Sequence, residues 1–416
     1  MSQKVLKVAV IGLGGFAHAH HEALRPLEAS GELQVMATCD PQLEKFADSP
    51  LVADLQTRGV PIYADYLEML DAHVEQLDFV TIPTPIPLHA PMHRACVERG
   101  LATYLEKPPT LDWRELDSMI ETESSSRFQT QVGFNFIIES TRQSLKARLL
   151  AGEFGALKRA KFVGCHPRSE SYFRRAQWAG RLRNNGHLIL DSCIGNALAH
   201  QVHNLLFWCG EGEVLSWGEI KSVEAELYRA HEIENFDTVF ARGQSGQAEI
   251  WIGASHVGSG SAWQNEVVEC EDATFFYENG NYTIEWHDGR SEEGPTDANA
   301  VSGLLVRNLQ YFANYLKGEV ARPLTTLADS RPFVTLNDLI LVAAGHITTI
   351  PDSFITRQTG NNNEVLRTVE DITPSLQFFL QQGCFPSDTN VAWSALGGSA
   401  DASQITQIDT VVDSLI

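Results

Sequence analysis

Apolar and polar positions in the first 125 residues of this 416-residue chain follow two alternating periods. Residues 7–11, 33–39, 78–82 and 101–105 are near-continuous apolar runs of strand length, and stretches at 17–30, 67–75 and 91–99 carry helical spacing. Strands with no polar face, separated by helices, predict a parallel, doubly wound α/β sheet covered on both sides. After about residue 125 the pattern changes. Residues 157–165, 213–229, 236–243, 247–256, 265–277 and 281–287 are β-rich, often alternating in polarity, with short turns such as Glu278-Asn279-Gly280. They predict a second α/β domain with a large, open, mostly antiparallel sheet. Helices are expected at 194–209, at 298–317 (ended by Gly318), and from the capping box Thr326-Leu-Ala-Asp329 toward Ala344. Residues 357–363 read as a polar loop, and the last 25 residues receive no assignment. The expected division is 1–125 and 126–416, two domains being natural for this length.

Composition narrows the function. Apolar residues make up 43% and charged residues 20%, and 31 basic against 53 acidic side chains give a net charge of −22. That surface disfavours nucleic acid and anionic membranes as partners. The seven cysteines are odd in number and form no CxxC pair, so reduced thiols in a cytoplasmic protein are expected. The first apolar run is short, carries Lys7 and breaks at glycines, so it reads as a strand and not a signal peptide. No apolar stretch reaches the roughly 18 residues of a membrane span.

The first strand is followed by Gly12-Leu13-Gly14-Gly15-Phe16-Ala17, a GxGxxA pattern opening a helix. Gly12 permits the tight turn, Gly14 lets backbone approach a pyrophosphate, and Ala17 lets the helix pack on the strand. The helix amino terminus, with Gly15 and Phe16, offers N–H groups to phosphate. A glycine-rich turn without a ligand would look similar, but the second strand ends at Asp40, 23 positions after Ala17 (40 − 17). That acid can accept hydrogen bonds from the ribose hydroxyls of an adenosine. No arginine follows it, so NAD is preferred over NADP.

After the next strands come Thr84-Pro85-Ile-Pro-Leu-His89 and Glu106-Lys107-Pro108. TPxxxH followed by EKP, behind GxGxxA, resembles the glucose–fructose oxidoreductase/inositol dehydrogenase (Gfo/Idh/MocA) family, specifically over about 1–135 and more weakly to about 350. The resemblance implies a Rossmann domain, then an α/β domain with an open sheet, with substrate bound over the nicotinamide. It implies that Thr84, Pro85 and His89 line the nicotinamide side, and that Glu106 and Lys107 serve the cofactor ribose and the reacting centre. Lys107 also makes sense alone. It follows a strand's carboxyl end, where doubly wound sheets bind ligands, and Pro108 and Pro109 stiffen its backbone. A partly desolvated lysine can exchange a proton with a hydroxyl; a solvated turn lysine is the plainer alternative.

A second segment, Asp191 to Asn204, holds Asn196, His200, His203 and Asn204 on one helical stripe, with Leu198, Val202, Leu205 and Leu206 opposite. The stripe suggests a cleft wall. The family pattern, registered on Gly210, places Asn196 and His203 where the family carries aspartates and retains His200 as its histidine. Asp191, five residues before Asn196, would supply a carboxylate if the chain bulges there. His200 and His203, without an assigned acid, are given no metal. The loop at 166–187 holds Arg168, Arg174, Arg175, Arg181 and Arg183 against Glu170. The loop reads as a substrate or cofactor lid whose arginines, Arg174 and Arg181 foremost, are candidates to hold a carboxylate or phosphate, with Trp178 to stack on a sugar; a subunit contact or an exposed loop is the alternative. His256 reads as a buried structural histidine.

These observations point to an NAD-dependent oxidoreductase in which Lys107, aided by His200, takes the proton of a sugar or inositol secondary hydroxyl. Alternatives are a family member that cleaves glycosides through transient NAD chemistry, and a dinucleotide- and sugar-binding sensor. An open sheet left bare predicts a homodimer or homotetramer packed face to face.

Overall fold

Six short apolar strands pair in parallel in the computed structural model, which describes residues 4–278, 280–297, 301–359 and 364–416. They are β1 (Leu6–Ile11), β2 (Leu33–Cys39), β3 (Ile62–Tyr63), β4 (Phe79–Ile82), β5 (Ala102–Leu105) and β6 (Gln131–Val132), in the order β3-β2-β1-β4-β5-β6. Helices α1 (Phe16–Ala29), α2 (Pro50–Thr57), α3 (Tyr66–His73), α4 (His89–Val97) and α5 (Trp113–Glu123) connect them. Strand order reverses between β1 and β4, the switch point at which such sheets bind dinucleotides. Val8, Val10, Phe79 and Tyr104 pack with Leu24 and Leu27 of α1. The helix Val301–Lys317 closes the same core with Leu305, Leu309 and Phe312, one stripe at helical spacing. Chain contacts divide the protein into one unit of 1–110, 114–139 and 298–330, and a second of 111–113, 140–297 and 331–416.

The second unit opens with α6 (Ser140–Leu150), β7 (Leu157–Cys165), the short α7 (Glu170–Arg174), the small hairpin β8–β9 (Arg183–Asn184 and His187–Leu188) and α8 (Ala199–Cys209). Strands β10 (Ile220–Arg229), β11 (Thr238–Ser245), β12 (Ala248–Ser255), β13 (Trp263–Cys270), β14 (Ala273–Glu278), β15 (Asn281–Trp286) and β16 (Ser291–Pro295) follow. With β17 (Thr348–Thr349) the sheet runs β16-β15-β14-β13-β7-β12-β11-β10-β17. Pairing is antiparallel except for β7–β12 and β10–β17. The mostly antiparallel sheet is thus as expected.

Several boundaries differ from the sequence reading. The stretch 265–277 is two strands joined at Glu271 and Asp272. The region 213–219 precedes β10 as a loop, with Trp217 buried against His203 and Phe207. The helix expected at 194–209 is a π-type turn, Cys193–Ala197, followed by α8. Residues 357–359 are not loop but the end of a strand, Ile355–Thr359, paired with Val365–Val369; the polar run Thr356–Thr359 hid a ribbon whose backbone pairing needs no apolar face there, while Ile355 and Val369 pack into the core at its base. Residues 360–363 lie outside the described residues, as do Asn279 of the expected turn and 298–300 of the expected helix. Thr326 and Asp329 exchange capping hydrogen bonds ahead of the helix Arg331–Ala344.

Over β7, β12, β11 and β10 the sheet face expected to pack on a second subunit is covered from within the chain. One face of these strands carries Val163, Trp251, Phe240 and Tyr228, which pack against Ile372, Leu376 and Phe379 of the helix Ile372–Gln382 and against Phe385 and Trp393. Each buried ring contributes about 1.5–3 kcal/mol of apolar burial. Polar ties accompany them. Lys161 Nζ donates to the Leu380 carbonyl at 3.2 Å, Tyr228 Oη to the Ala395 carbonyl at 3.2 Å, and Ser387 Oγ to Glu226. The last 25 residues also have a place. Gly398–Asp401 pairs antiparallel with β10, and Ile408–Leu415 is a helix.

Candidate functional site

In the first unit the glycine loop has the geometry a dinucleotide needs. Gly12 has φ +117°, and a Cβ there would stand 2.8 Å from Ala17 Cβ, so strand and helix approach closely only because both residues are small. Gly15, with φ +55°, is the N-cap of α1, and no side chain caps the helix. The Ala17 N–H donates to the Gly14 carbonyl at 3.1 Å, and with no side-chain cap the N–H groups of Phe16 and His18 are the ones placed to meet an anion. Asp40, half-buried at the end of β2, accepts from the Leu13 N–H at 3.1 Å and the Gln42 N–H at 2.9 Å. It fixes the loop while keeping lone pairs for ribose hydroxyls. Phe16 stays half exposed. These residues fit an adenine dinucleotide.

Three features of this unit escaped the sequence reading. The Phe46 ring lies beside Gly14, its Cζ 2.6 Å from where a Cβ would stand. His21 Nε2 lies 3.1 Å from the Gly12 carbonyl, and burial pushes its pKa down to about 4. His20 Nε2 lies 2.9 Å from Glu106 Oε1 in a buried pair. A lone aromatic in a polar turn gave no warning for Phe46, whereas the His20-His21 pair on an apolar helix was a signal left unread.

Glu106 is buried; its Oε2 accepts the Lys107 backbone N–H at 3.2 Å, and Gly133 has no side chain because the carboxylate fills that space. The structure thus engages the Glu106 carboxylate with His20, beneath the loop. Lys107 is half-buried just beyond β5. His89 is buried between two loops, with Nε2 2.8 Å from the Thr84 carbonyl and Nδ1 2.9 Å from the Pro108 carbonyl. Burial lowers its pKa, so the neutral ring donates to one of the two carbonyls at a time. His89 therefore ties the Thr84–Pro85 loop to the loop carrying Lys107. Thr84 Oγ1 turns toward Met92 Sδ at 3.4 Å.

In the second unit, Asp191 is buried and accepts from the Gly180 N–H at 2.6 Å and from Asn196 Nδ2 at 3.0 Å. The π-type turn at Cys193–Ala197 is the bulge that brings Asn196 back to Asp191. His200 and Asn196 are half-buried. The rest of the stripe is not a cleft wall. His203 is fully buried beside Trp217 and Phe333, with its pKa lowered by burial and then by Arg142. Asn204, also buried, has an amide that bridges the His200 carbonyl at 3.0 Å and Arg142 at 3.2 Å. Helical spacing put these residues on one face but did not say that α6 and the following helices cover it. His256 is a structural histidine, buried, 2.7 Å from the His166 carbonyl and pushed down to about 3 by burial.

The loop arginines divide. Arg174 pairs with Glu170 at 2.7 Å, Arg181 with Glu234, and Arg183 with Asp409 and Asp413. Arg175 lies over the Tyr172 ring at 3.7 Å and the Trp178 ring at 5.1 Å. Arg174 and Arg181 line a cavity of about 770 Å³. Arg175, another of the loop arginines, lines it too, as do Arg367 and His231, which the sequence reading did not single out.

Comparison with known proteins places this geometry. Residues 6–134 match the Gfo/Idh/MocA oxidoreductase family, NAD-binding Rossmann fold. The chain is 30% identical to inositol 2-dehydrogenase 4 of Saccharopolyspora erythraea over 172 residues, 41% of this chain and 48% of that protein. It is 24% identical to a glycosyl hydrolase family 109 protein of Shewanella pealeana over 44% of this chain and 41% of that one. The alignments span less than half of these curated relatives. A solved oxidoreductase from Agrobacterium radiobacter, in complex with NAD+, L-tartaric acid and magnesium, shares the fold with a TM-score of 0.66 at 17% identity, covering 81% of this chain and 95% of that one.

Proposed function

We propose, on the premise that residues 6–134 belong to the Gfo/Idh/MocA oxidoreductase family, that the protein is an NAD(H)-dependent dehydrogenase acting on a secondary hydroxyl of a sugar, sugar derivative or inositol. The observation that carries the reading is the union, in one compact unit, of a fitted dinucleotide loop with Lys107 at the carboxyl end of β5. Bound NAD supplies the hydride acceptor. Asp40 holds the adenosine ribose, and the amino terminus of α1 holds the pyrophosphate. Lys107 removes the hydroxyl proton as hydride leaves the same carbon, and His200, with the Asp191–Asn196 pair behind it, orients the substrate. The test is NADH absorbance with full-length protein, NAD+ and a panel of sugars and inositols. The reading expects NADH formation with at least one polyol, and its loss by at least about a hundredfold in Lys107→Met. Absence of NADH with every polyol contradicts it.

The glycosyl hydrolase family 109 relative, together with Asn196 and His203 at positions where the family carries aspartates, supports a second reading in which NAD is used transiently to cleave a glycoside. Release of aglycone with no net NADH would favour that reading over the first.

A further inference from the structure

The cavity of about 770 Å³ in the second unit falls within the roughly 300–1,000 Å³ typical of small-molecule sites. Its walls are the segment from α7 to Arg181 and the turn His231–Glu234, with Arg367 beneath. The wall is built rather than accidental. Gly180, with φ +69°, accepts on its carbonyl from the N–H groups of Glu234 and Asn235, both at 3.0 Å, and a Cβ on it would strike Ile233 at 2.6 Å. The Gly180 N–H donates to Asp191, which also holds Asn196. Ala179 and Arg181, the neighbours of Gly180, line the cavity. One glycine therefore joins the cavity wall to the carboxylate–amide pair assigned above to substrate.

Charge decides what the cavity takes. Its lining holds Arg174, Arg175, Arg181 and Arg367 against Glu170, Glu232 and Glu234, four positive groups against three negative (4 − 3 = +1), leaving His231 aside. Every one of those carboxylates is already engaged. Glu170 pairs with Arg174 at 2.7 Å and with Arg367 at 2.8 Å, Glu232 with Arg367 at 2.6 Å, and Glu234 with Arg181. Arg367 is held on all sides, its Nη1 donating to the Ala230 carbonyl at 2.9 Å. Arg175 differs. Among the described residues its one hydrogen bond goes to the Tyr172 carbonyl at 2.6 Å, its plane is propped on Tyr172 and Trp178, and no carboxylate pairs with it. A guanidinium has five N–H donors, so most of those on Arg175 remain for a ligand, in a geometry suited to a two-oxygen anion.

We propose that this cavity is an anion subsite, with Arg175 as its ligand-binding cation, and that it accepts the carboxylate or phosphate of an acidic sugar derivative. The proposal rests on the dehydrogenase reading for the sugar part of the ligand and on the cavity itself for the anion. The stacked, preorganised guanidinium loses little freedom on binding, so the preference for an acid is expressed as affinity.

The test is calorimetric titration of the full chain with D-glucuronate, D-glucose 6-phosphate and D-glucose, with NADH formation from NAD+ followed separately. The subsite predicts that one acid binds about tenfold or more tightly than glucose, and which acid does so separates carboxylate from phosphate. Added NaCl should weaken the acid and not glucose, and Arg175→Gln should bring the ratio toward one. Equal affinity for all three, binding of none, or a ratio unmoved by Arg175→Gln overturns the proposal. Acid binding with no NADH formed from these acids or from any sugar or inositol of the panel upholds the subsite and removes the dehydrogenase reading; NADH formed from neutral polyols with no preference for acids does the reverse.

Discussion

Burial sets the protonation of several histidines. His256 is pushed down to about 3 and His21 to about 4, and His89 and His203 are lowered in the same direction, all chiefly by loss of water. In the unfolded chain each takes a proton near pH 6.5, while the folded chain keeps its rings neutral until lower pH. The unfolded state therefore binds more protons below pH 6.5, and stability present above that pH is lost on acidification at up to about 1.4 kcal/mol per pH unit for each ring. Urea denaturation should show clearly lower stability at pH 5 than at pH 7.5; equal stability would contradict this account. The pair of His20 and Glu106 makes a second claim. Glu106→Ala removes the acceptor of the buried His20 Nε2 and one acceptor of the part-buried Lys107 N–H. It should cost about 1–3 kcal/mol in thermal or urea unfolding.

At the scale of elements, the Gly14–Phe46 contact bears on cofactor entry. The second glycine of such a loop exists so that a pyrophosphate can approach it, and here the Phe46 ring stands in that space. Phe46→Ala should quicken NADH association, read by stopped-flow fluorescence, by roughly the tenfold that removing an occluded state allows; unchanged rates would show that the ring does not obstruct. The same elements explain what could be read from sequence. Residues 33–39 and 157–165 were legible as strands because apolar side chains filled their cores, and 12–17 because only small residues fit that turn. The strand Ile355–Thr359 was illegible because its pairing satisfies the backbone while its side chains after Ile355 stay polar. A bulge between Asp191 and Asn196 was legible as what would bring the Asp191 carboxylate into play, and the π-type turn is its physical form. The depth of His203 was not legible, because periodicity reports a face and not what covers it.

Over the whole molecule, the carboxyl-terminal third does what a partner subunit was expected to do, covering apolar strands of the large sheet from within the chain. Tyr228 and Trp393 stack edge to face at 4.9 Å, and Phe240 packs on Phe379 at 5.5 Å. Trp393→Ala should therefore lower stability by about 3–5 kcal/mol, and a change of that size at every protein concentration would mark the contact as intramolecular. A loss seen only on dilution would instead mark a subunit interface. The central claim is that an adenine dinucleotide without a 2′-phosphate lies on the loop Gly12–Ala17 against Asp40. Calorimetric titration of the full chain with NAD+ and NADP+ tests it most directly. The account predicts one NAD+ per chain, bound about tenfold or more tightly than NADP+ because Asp40 repels the extra phosphate. Heat from neither nucleotide, or tighter binding of NADP+, would contradict it.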